Sequence, residues 1–368
     1  MNAELAAWLQ LGEAPGVPPA AVRQLLAALG SPQAVLRAPH ARIAALTDAA
    51  TADALGASGG APFQARLARV SRWLDLGARR IVTLGDADYP VRWLDLASPP
   101  TLFYLHGSPG AWPGAAVAIV GSRNASVGGC AIAHDLARTL GAQSVAVVSG
   151  LAHGIDAAAH LGALDAGART VAVLGTGCDV VYPSRHGALA RSIVDQGGAV
   201  LSESPLGTGA LRHVFPRRNR LIAALSLGVV VVEAALRSGS LITARLAADL
   251  GREVLAVPGS IHSPLSKGCH RLIKDGAQLV DDVDDILEAL KLPLLARRSD
   301  RSELPASSPS PGIARMGHEP FTLEALAEST GRAVEALLGE LAIEEVDGRI
   351  ERLDGSRWQR LKGSAERL

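Results

Sequence analysis

Short apolar runs alternate with helical patterns through the middle of the chain, from Ala115 to about residue 290. The apolar runs read AAVAIVGS, SVAVVSG, TVAVLGTG, GAVLSES, GVVVVEA, EVLAVPGS and AQLV. Each except the last is followed by Gly/Ser-rich residues and then by a helical pattern. This alternation is typical of a parallel sheet covered by helices, whose ligands bind beyond the carboxyl ends of the strands. We therefore expect an α/β domain over residues 76–292.

The first 75 residues show a different pattern, with apolar residues at i, i+3 and i+4. In GVPPAAVRQLLAALGSPQAVL the Gly-Ser-Pro step marks a turn between two helices. The pattern predicts a small helical domain over residues 1–75, of the SAM or helix-hairpin-helix kind. Such a domain could bind DNA or could simply pack against the rest of the chain, and the sequence leaves both open.

The end of the chain contains a linker and a small third domain. Residues 293–319 are rich in Pro and Ser and predict a linker. Residues 320–368 predict two or three helices and a hairpin around Asp347-Gly348, which is a winged-helix pattern. Between Phe321 and Asp354 nine acidic residues stand against three arginines, a net charge of −6.

Composition restricts where a binding site for a polyanion could lie. Hydrophobic residues make up 48% of the chain and charged residues 20%, which allows a large core. The formal net charge is +0, so such a site must be a local patch. The three cysteines form no CxxC, and no signal peptide or long apolar run is visible. We expect a cytoplasmic protein without disulfides, metal or cofactor.

A glycine-rich turn follows the first strand of the α/β pattern. The segment VGSRNASVGG contains Gly121, Ser122, Arg123 and Asn124 and opens a helix. Backbone N–H groups at such a helix start form an anion cradle, and an arginine adds a fork suited to phosphate. The alternative is a plain glycine turn with a solvated arginine. The dinucleotide fingerprint is incomplete, because Val180 occupies its third glycine position, so NAD binding is not expected.

The segment SGLAHGIDAAAH contains His153 and Asp156 in a loop that enters a helix. A metal or acid/base site would need these two types of side chain. However, no third ligand stands at a suitable spacing, and Asp156 is well placed to cap the helix or lie in its first turn. We favour this structural role over a catalytic one.

The segment FPRRNRLIAALS is the most basic part of the α/β region. No acidic residue lies between Ser204 and Val232, whereas the same stretch contains Arg212, His213, Phe215, Arg217, Arg218 and Arg220. Arginines that track a backbone and an aromatic ring that stacks on a base are the requirements of single-strand binding. The alternative is that Phe215-Pro216 only anchors a loop. We expect Phe215 in a polar loop and Asn219 at the start of the helix.

Two further loops repeat this combination of cations and free backbone amides. RSGSLITA places Arg237, Gly239 and Ser240 before a helix, and GSIHSPLSKGCHRL supplies Lys267. Several phosphate cradles along one sheet edge suit a polymer better than a mononucleotide.

Seven ordered segments resemble the bacterial DNA-processing protein A family (DprA, also called Smf). They are DADYPVRWLDLASPPTLFYLHG, VAIVGSRNAS, SGLAHGIDAAAH, TVAVLGTGCDVVYP, FPRRNRLIAALS, VVVVEAALRSGSLITARLAADLGREVLAVPGS and SKGCHRLIKDGAQLV, between about Asp86 and Leu290. The resemblance implies an extended Rossmann-like domain that binds single-stranded DNA, passes it to the RecA recombinase in natural transformation, and forms a homodimer. It implies no catalytic residue.

The family's DNA contacts lie in the GSR turn and the F-P-x-R-N segment, which are here Gly121 to Arg123 and Phe215 to Asn219. Many relatives have arginine where this chain has His153, so a phosphate contact there is in doubt. The rival hypothesis is a Rossmann-like nucleotide hydrolase with Glu233 as the catalytic carboxylate. Its acid/base partner would be Asp156 or Glu203, and nothing in the sequence brings these groups together.

Overall fold

The computed structural model describes residues 2–108, 114–293, 316, 319–346, 350–353 and 357–360. The chain divides into two compact units, residues 1–295 and residues 296–368. Of the predicted linker, residues 293–319, the structure describes only residues 293, 316 and 319.

The first unit is built on a nine-stranded sheet. Its strands are β1 (Arg79–Thr83), β2 (Leu102–Gly107), β3 (Ala116–Gly121), β4 (Ala146–Ser149), β5 (Thr170–Leu174), β6 (Ala199–Ser202), β7 (Gly228–Val232), β8 (Glu253–Ala256) and β9 (Gln278–Leu279). The strand order is β1-β2-β6-β5-β4-β3-β7-β8-β9. The seven strands from β3 to β9 are the predicted ones, and they pair in parallel. The predicted α/β fold is confirmed.

Strands β1 and β2 were not predicted. They pair with each other antiparallel, and β2 also pairs antiparallel with β6. No α-helix separates them, only a short 3-10 helix at Val91–Asp95. The alternation of strand and helix that reveals the parallel strands is therefore absent here, and the two strands extend the sheet beyond its predicted edge.

Thirteen helices belong to the described part of this unit. They are α1 (Ala3–Gly12), α2 (Pro19–Leu29), α3 (Pro32–Arg37), α4 (His40–Leu46), α5 (Ala49–Gly56), α6 (Ala61–Leu74), α7 (Val127–Ala142), α8 (Ile155–Asp165), α9 (Gly187–Asp195), α10 (Val214–Leu225), α11 (Ser240–Asp249), α12 (Lys267–Lys274) and α13 (Val283–Ala289).

Helices cover both faces of the sheet, as the side chains of β3 show. Ala116, Ala118 and Val120 pack in a core with residues of α10, α11 and α12. Val117 and Ile119 face the other way and pack with α7, α8 and α13. Alternate side chains of a strand point to opposite faces, so β3 lies buried between two layers of helix.

The direction of chain progression reverses between β3 and β7. From β3 the chain runs outward to β4, β5 and β6, and then returns to β7, β8 and β9 on the other side. The loops after β3 and β7 thus leave the sheet side by side, which is where open α/β sheets bind ligands. Gly121 ends β3 at this point. A Cβ on it would lie 1.8 Å from the Val232 carbonyl oxygen, so the close approach of the two strand ends requires glycine.

The N-terminal helices pack on the sheet within the same compact unit. The Tyr104 hydroxyl of β2 donates a short hydrogen bond to the buried Glu13 carboxylate. Arg23 of α2 donates to the Ala97 carbonyl at 2.7 Å. These contacts favour the packing role for residues 1–75, and the domain boundary at residue 75 stays a prediction.

The second unit is a small winged helix. It contains β10 (Phe321–Thr322), α14 (Leu323–Thr330), α15 (Val334–Val346), β11 (Ile350–Arg352) and β12 (Arg357–Arg360). Strand β12 pairs with both β10 and β11. Its core is formed by Phe321, Leu326, Leu337, Leu341, Ile350 and Trp358. The predicted hairpin turn at Asp347-Gly348 lies outside the described residues.

Candidate nucleic-acid interface

A groove of about 830 Å³ lies beyond the carboxyl ends of β3, β4, β5 and β7. Its lining includes most of the residues selected from the sequence: Gly121, Ser122, Arg123, Asn124, Arg212, Phe215, Arg218, Asn219, Arg237, Gly239 and Ser240. The topology therefore brings the GSR turn, the F-P-x-R-N segment and the RSGS loop together at one edge. His213, Arg217 and Lys267 are not among the lining residues.

Phe215 provides an aromatic face in this groove. The Arg123 guanidinium lies 5.1 Å from the centroid of the Phe215 ring. The centroid of the Tyr182 ring lies 5.7 Å from that of the Phe215 ring, and the two ring planes are tilted by 47°. The Phe215 side chain is half-buried and Tyr182 is 46% exposed. A cation and two aromatic rings thus share one wall, where a flat base and its phosphate could be held together.

The prediction that Phe215 lies in a loop was wrong. Helix α10 begins at Val214, so Phe215 and Pro216 lie in its first turn, and Asn219 lies in the middle of the helix. Proline is tolerated in a first turn because its missing N–H would have no partner there. Phe215 is therefore positioned by a rigid helix rather than by a mobile loop.

Arg218 was predicted to contact DNA, but the structure buries it. The side chain is 5% exposed, and its Nη1 donates to the carbonyl of Gly150 at 2.8 Å and, by a short hydrogen bond, to that of Val173. Burial lowers the pKa of Arg218 to about 10, so it stays charged at neutral pH. Its guanidinium ties α10 to the ends of β4 and β5, which is a structural role.

Asp156 supports the same buried network. Its Oδ2 accepts the N–H groups of Gly150 at 3.1 Å and Ala152 at 3.3 Å. Burial raises the pKa of the Asp156 carboxyl, and the charge of Arg218 opposes that rise. Asp156 thus fixes the loop after β4, which agrees with the favoured non-catalytic role.

Arg217 was also predicted to contact phosphate, but it forms an ion pair outside the groove. Its Nε lies 3.2 Å from Oε1 of Glu203, and Arg220 makes a short contact with Oε2 of the same carboxylate. Arg220 also donates to the Ser98 carbonyl at 2.9 Å. Glu203 stands just before the acid-free run in the sequence, so the run did not reveal that a carboxylate pairs with these two arginines.

Arg123, Arg212 and Arg237 remain as the exposed arginines among the groove-lining residues. Within the described part of the chain, no carboxylate oxygen lies within 4.0 Å of any of the three. All three side chains are exposed. Their positive charge is therefore available to an anionic ligand.

The loop before α11 is shaped by local hydrogen bonds. Ser240 is buried, and its hydroxyl pairs with that of Ser238 at 2.7 Å. The Asn219 amide of α10 donates to the Gly239 carbonyl at 3.4 Å and joins the two elements. The hydroxyl of Ser240 is thus engaged within the protein, whereas Arg237 and Gly239 remain exposed.

The anion cradle predicted at the start of α7 is already occupied. Ser126 caps the helix by accepting the Gly129 N–H at 3.0 Å. The Glu233 carboxylate, which follows β7, accepts the Ser126 N–H at 2.8 Å and the Ser126 hydroxyl at 2.5 Å. An internal carboxylate thus holds the position that the sequence assigned to a phosphate. Phosphate contact at the GSR turn is left to Arg123 and the backbone around it.

Three other candidates lie apart from the groove lining. Lys267 donates through Nζ to the Ile261 carbonyl, and His213 is an exposed residue before α10. His153 accepts a hydrogen bond through Nδ1 from Arg185 Nε at 3.0 Å and lies against the ring of His186. Burial, helped by Arg185, lowers the pKa of His153.

Sequence reasoning missed Tyr182, which lies after β5. The signal was present, since the segment TVAVLGTGCDVVYP follows the same strand-then-glycine pattern as the other loops of this edge. It was missed because a lone tyrosine without a neighbouring cation carries no binding signature of its own.

The groups proposed for hydrolysis are each engaged separately. Glu233 is bonded to Ser126, Glu203 is paired with Arg217 and Arg220, and Asp156 is buried. A metal site is not indicated by the described residues either. Their one cluster of potential ligands is Asp281, Asp282 and Asp285, of which Asp282 and Asp285 form the capping box of α13.

A family model described as DNA recombination-mediator protein A matches residues 80–291. The chain belongs to this family. A second model, described as the DprA winged helix domain, matches residues 303–356. Protein Smf of Escherichia coli is 40% identical over 291 residues, 77% of this chain and 78% of the relative. A putative DNA processing protein DprA of Mycobacterium tuberculosis is 44% identical over 264 residues, 68% of this chain and 65% of the relative.

Two solved DprA structures share the fold. The crystal structure from Streptococcus pneumoniae has a TM-score of 0.68 at 34% identity and covers 79% of this chain and 99% of its own. A Helicobacter pylori DprA, described for its single-stranded DNA binding mode, has a TM-score of 0.52 at 29% identity and covers 58% of this chain and 96% of its own. Among the helices that the structure describes, none has the length and apolar character of a membrane span.

Proposed function

We propose that the groove binds single-stranded DNA and that the protein loads RecA recombinase onto that DNA in natural transformation. The observation that carries the DNA assignment is the wall formed by Arg123, Phe215 and Tyr182, in a groove with Arg212 and Arg237. An aromatic platform next to unpaired arginines suits a base and its flanking phosphates. The single-stranded DNA binding described for the Helicobacter pylori relative supports the same ligand.

A polymer fits this groove better than a free nucleotide. The three exposed arginines come from three separate loops, after β3, before α10 and after β7. A mononucleotide presents its phosphates at one end, whereas a strand presents one at every residue. In a duplex, each base stacks on its neighbours, so its faces cannot contact the Phe215 ring. We therefore expect a preference for single strands.

A cytoplasmic location and a homodimer are parts of the same proposal. The cysteine pattern supports the location, since Cys130, Cys178 and Cys269 are free thiols. The dimer is supported by the loop before helix α11, which leaves Leu236 at 63% exposure. Sedimentation at several protein concentrations tests the dimer, and a monomer at all of them would contradict it.

Nucleotide hydrolysis remains the rival function. It would need an acidic group free to activate water, and the three acids considered for this role are engaged elsewhere. We therefore propose that the protein acts by binding, without a catalytic residue.

Binding of a labelled oligothymidylate and of a matched duplex, measured by fluorescence anisotropy, tests the proposal. We expect tighter binding of the single strand and no release of base or phosphate from nucleotides under the same conditions. Equal affinity for the duplex, or turnover of a nucleotide, would contradict it.

A further inference from the structure

Glu233 holds an unusual backbone conformation at the end of β7. Its φ is +53°, in the left-handed region that glycine and asparagine adopt most easily. A glutamate there strains the backbone. If the position only had to turn the chain, glycine or asparagine would do so at lower cost. The side chain of Glu233 therefore accounts for the residue.

The carboxylate of Glu233 fits closely against the first turn of α7. A Cβ on Gly129 would lie 2.4 Å from the carboxyl carbon of Glu233, so a larger residue there would require the Glu233 carboxylate to move. The same carboxylate accepts both the backbone N–H and the hydroxyl of Ser126, the N-cap residue. Its negative charge also faces the positive end of the helix dipole.

In nucleotide-binding Rossmann folds, the first helix after the first parallel strand receives a phosphate at this place. Here the equivalent helix is α7, after β3, and an internal anion takes that place. The tethered carboxylate is present at an effective concentration of at least the millimolar range, so a free phosphate would have to displace it.

We propose that Glu233 is a specificity-determining residue that excludes phosphate monoesters, such as free nucleotides, from the start of α7. It does so by occupying the phosphate position with its own carboxylate. The inference rests on the proposed function, because it explains why phosphate recognition at this sheet edge falls to exposed arginines that track a strand. The excluded ligand is a terminal phosphate, which carries more negative charge than a phosphodiester.

The test is phosphate binding by the full-length protein with Glu233→Gly. Glycine removes the carboxylate and also accepts the positive φ, so the backbone loses its strain. We expect inorganic phosphate to raise the Tm of the variant, compared with chloride at equal ionic strength. We also expect the variant to bind phosphate at least ~tenfold more tightly than the unaltered protein does.

Glu233→Asn is the second variant, since asparagine tolerates the same φ but is too short to reach Ser126 in the same way. It keeps the test valid if the glycine variant does not fold. Equal phosphate affinity in the unaltered protein and both variants, or no phosphate binding by any of the three, would overturn the proposal. The DNA affinity of the unaltered protein is measured in parallel. A failure to bind DNA would count against the proposed function, whereas the phosphate result decides the role of Glu233.

Discussion

Phe215 contributes to binding through the face of its ring. The ring is half-buried beside Arg123 and Tyr182 and lies in the first turn of α10. We predict that Phe215→Ala weakens single-strand binding by roughly 1–3 kcal/mol, the usual contribution of one stacked base. Anisotropy with an oligothymidylate measures this loss.

The matched control for this variant is thermal stability. A ring that serves as a stacking platform can be removed with a small change in Tm. A large fall in Tm with little loss of DNA affinity would show instead that Phe215 anchors the start of α10 to the core.

His160 makes the stability of the fold depend on pH. It is fully buried, its Nδ1 bonds to Thr170 Oγ1 at 2.7 Å, and burial lowers its pKa to about 3. The unfolded chain takes up this proton near pH 6.5, whereas the folded protein does not until about pH 3. Stability is therefore lost as pH falls from about 6.5, by roughly 1.4 kcal/mol per pH unit.

The prediction is that His160→Asn loses less stability than the unaltered protein between pH 6.5 and pH 4. Asparagine can donate to Thr170 but does not titrate. Urea unfolding at each pH measures the difference, and parallel curves for the two proteins would contradict the assignment.

The types of individual residues in the groove could be predicted from the sequence, but their individual roles could not. Arg123 and Arg237 were selected and lie exposed in the groove. Arg217 and Arg218 carry the same charge in the same segment, yet one pairs with Glu203 and the other is buried. Which arginine is free depends on tertiary partners distant in sequence, and no local pattern encodes these.

Among the elements, helix α10 depends on Arg218 for its attachment to the sheet. Removing one partner of a buried charged network costs about 3–5 kcal/mol, because the other charge stays buried without compensation. We predict a loss of that size for Arg218→Met, which would leave Asp156 without the nearby cation. Urea unfolding measures it.

Arg217→Ala is the matched control on the same helix. The Arg217 side chain is 59% exposed, and Arg220 still pairs with Glu203 after its removal. We expect a change of no more than about 1 kcal/mol. Equal losses in the two variants would contradict the distinction between a structural and a surface arginine.

Element boundaries were harder to predict than element types. The seven parallel strands were predicted because each is a short apolar run, and all but the last precede Gly/Ser-rich residues and a helical pattern. The start of α10 was misplaced because Pro216 and the crowded arginines resemble a loop, although proline is compatible with a first helical turn. Strands β1 and β2 lacked the helical crossover that identified the others.

At the scale of the whole molecule, the charge of the winged helix bears on its ligand. The helix α15 contains Glu335, Glu340, Glu344 and Glu345 and no arginine or lysine. Acidic groups repel phosphates within the Debye length of about 8–10 Å. A helix that reads bases would carry Arg, Asn or Gln instead. We predict that this unit binds protein rather than DNA.

Deleting everything after residue 300 should therefore leave single-strand affinity the same or higher. The truncation retains the first compact unit, residues 1–295. Oligomeric state must be measured alongside, by sedimentation. A tenfold or greater loss of affinity at unchanged oligomeric state would show that the winged helix holds DNA.

Composition and periodicity predict the order of the three regions, and their boundaries stay a prediction. One family model covers residues 80–291, and the other covers residues 303–356 and so begins within the predicted linker. The packing of the N-terminal helices onto the sheet did not follow from composition or periodicity. It rests on contacts between residues distant in sequence, such as Trp8 in one core with Leu102, and Tyr104 with Glu13, which lie 91 residues apart. Such pairs leave no periodic pattern.

The salt dependence of single-strand binding tests the central claim most directly. Each phosphate contact of a single strand contributes ~0.7 to the slope of log K against log salt. We predict that Arg123→Ala and Arg237→Ala each lower the slope by about that amount and weaken binding for all sequences alike, since phosphate contacts carry no sequence information. Arg217→Ala, which removes an arginine that lies outside the groove lining and pairs with Glu203, should lower the slope less than either of these variants. Unchanged slopes in Arg123→Ala and Arg237→Ala, or an equal fall in Arg217→Ala, would contradict the account.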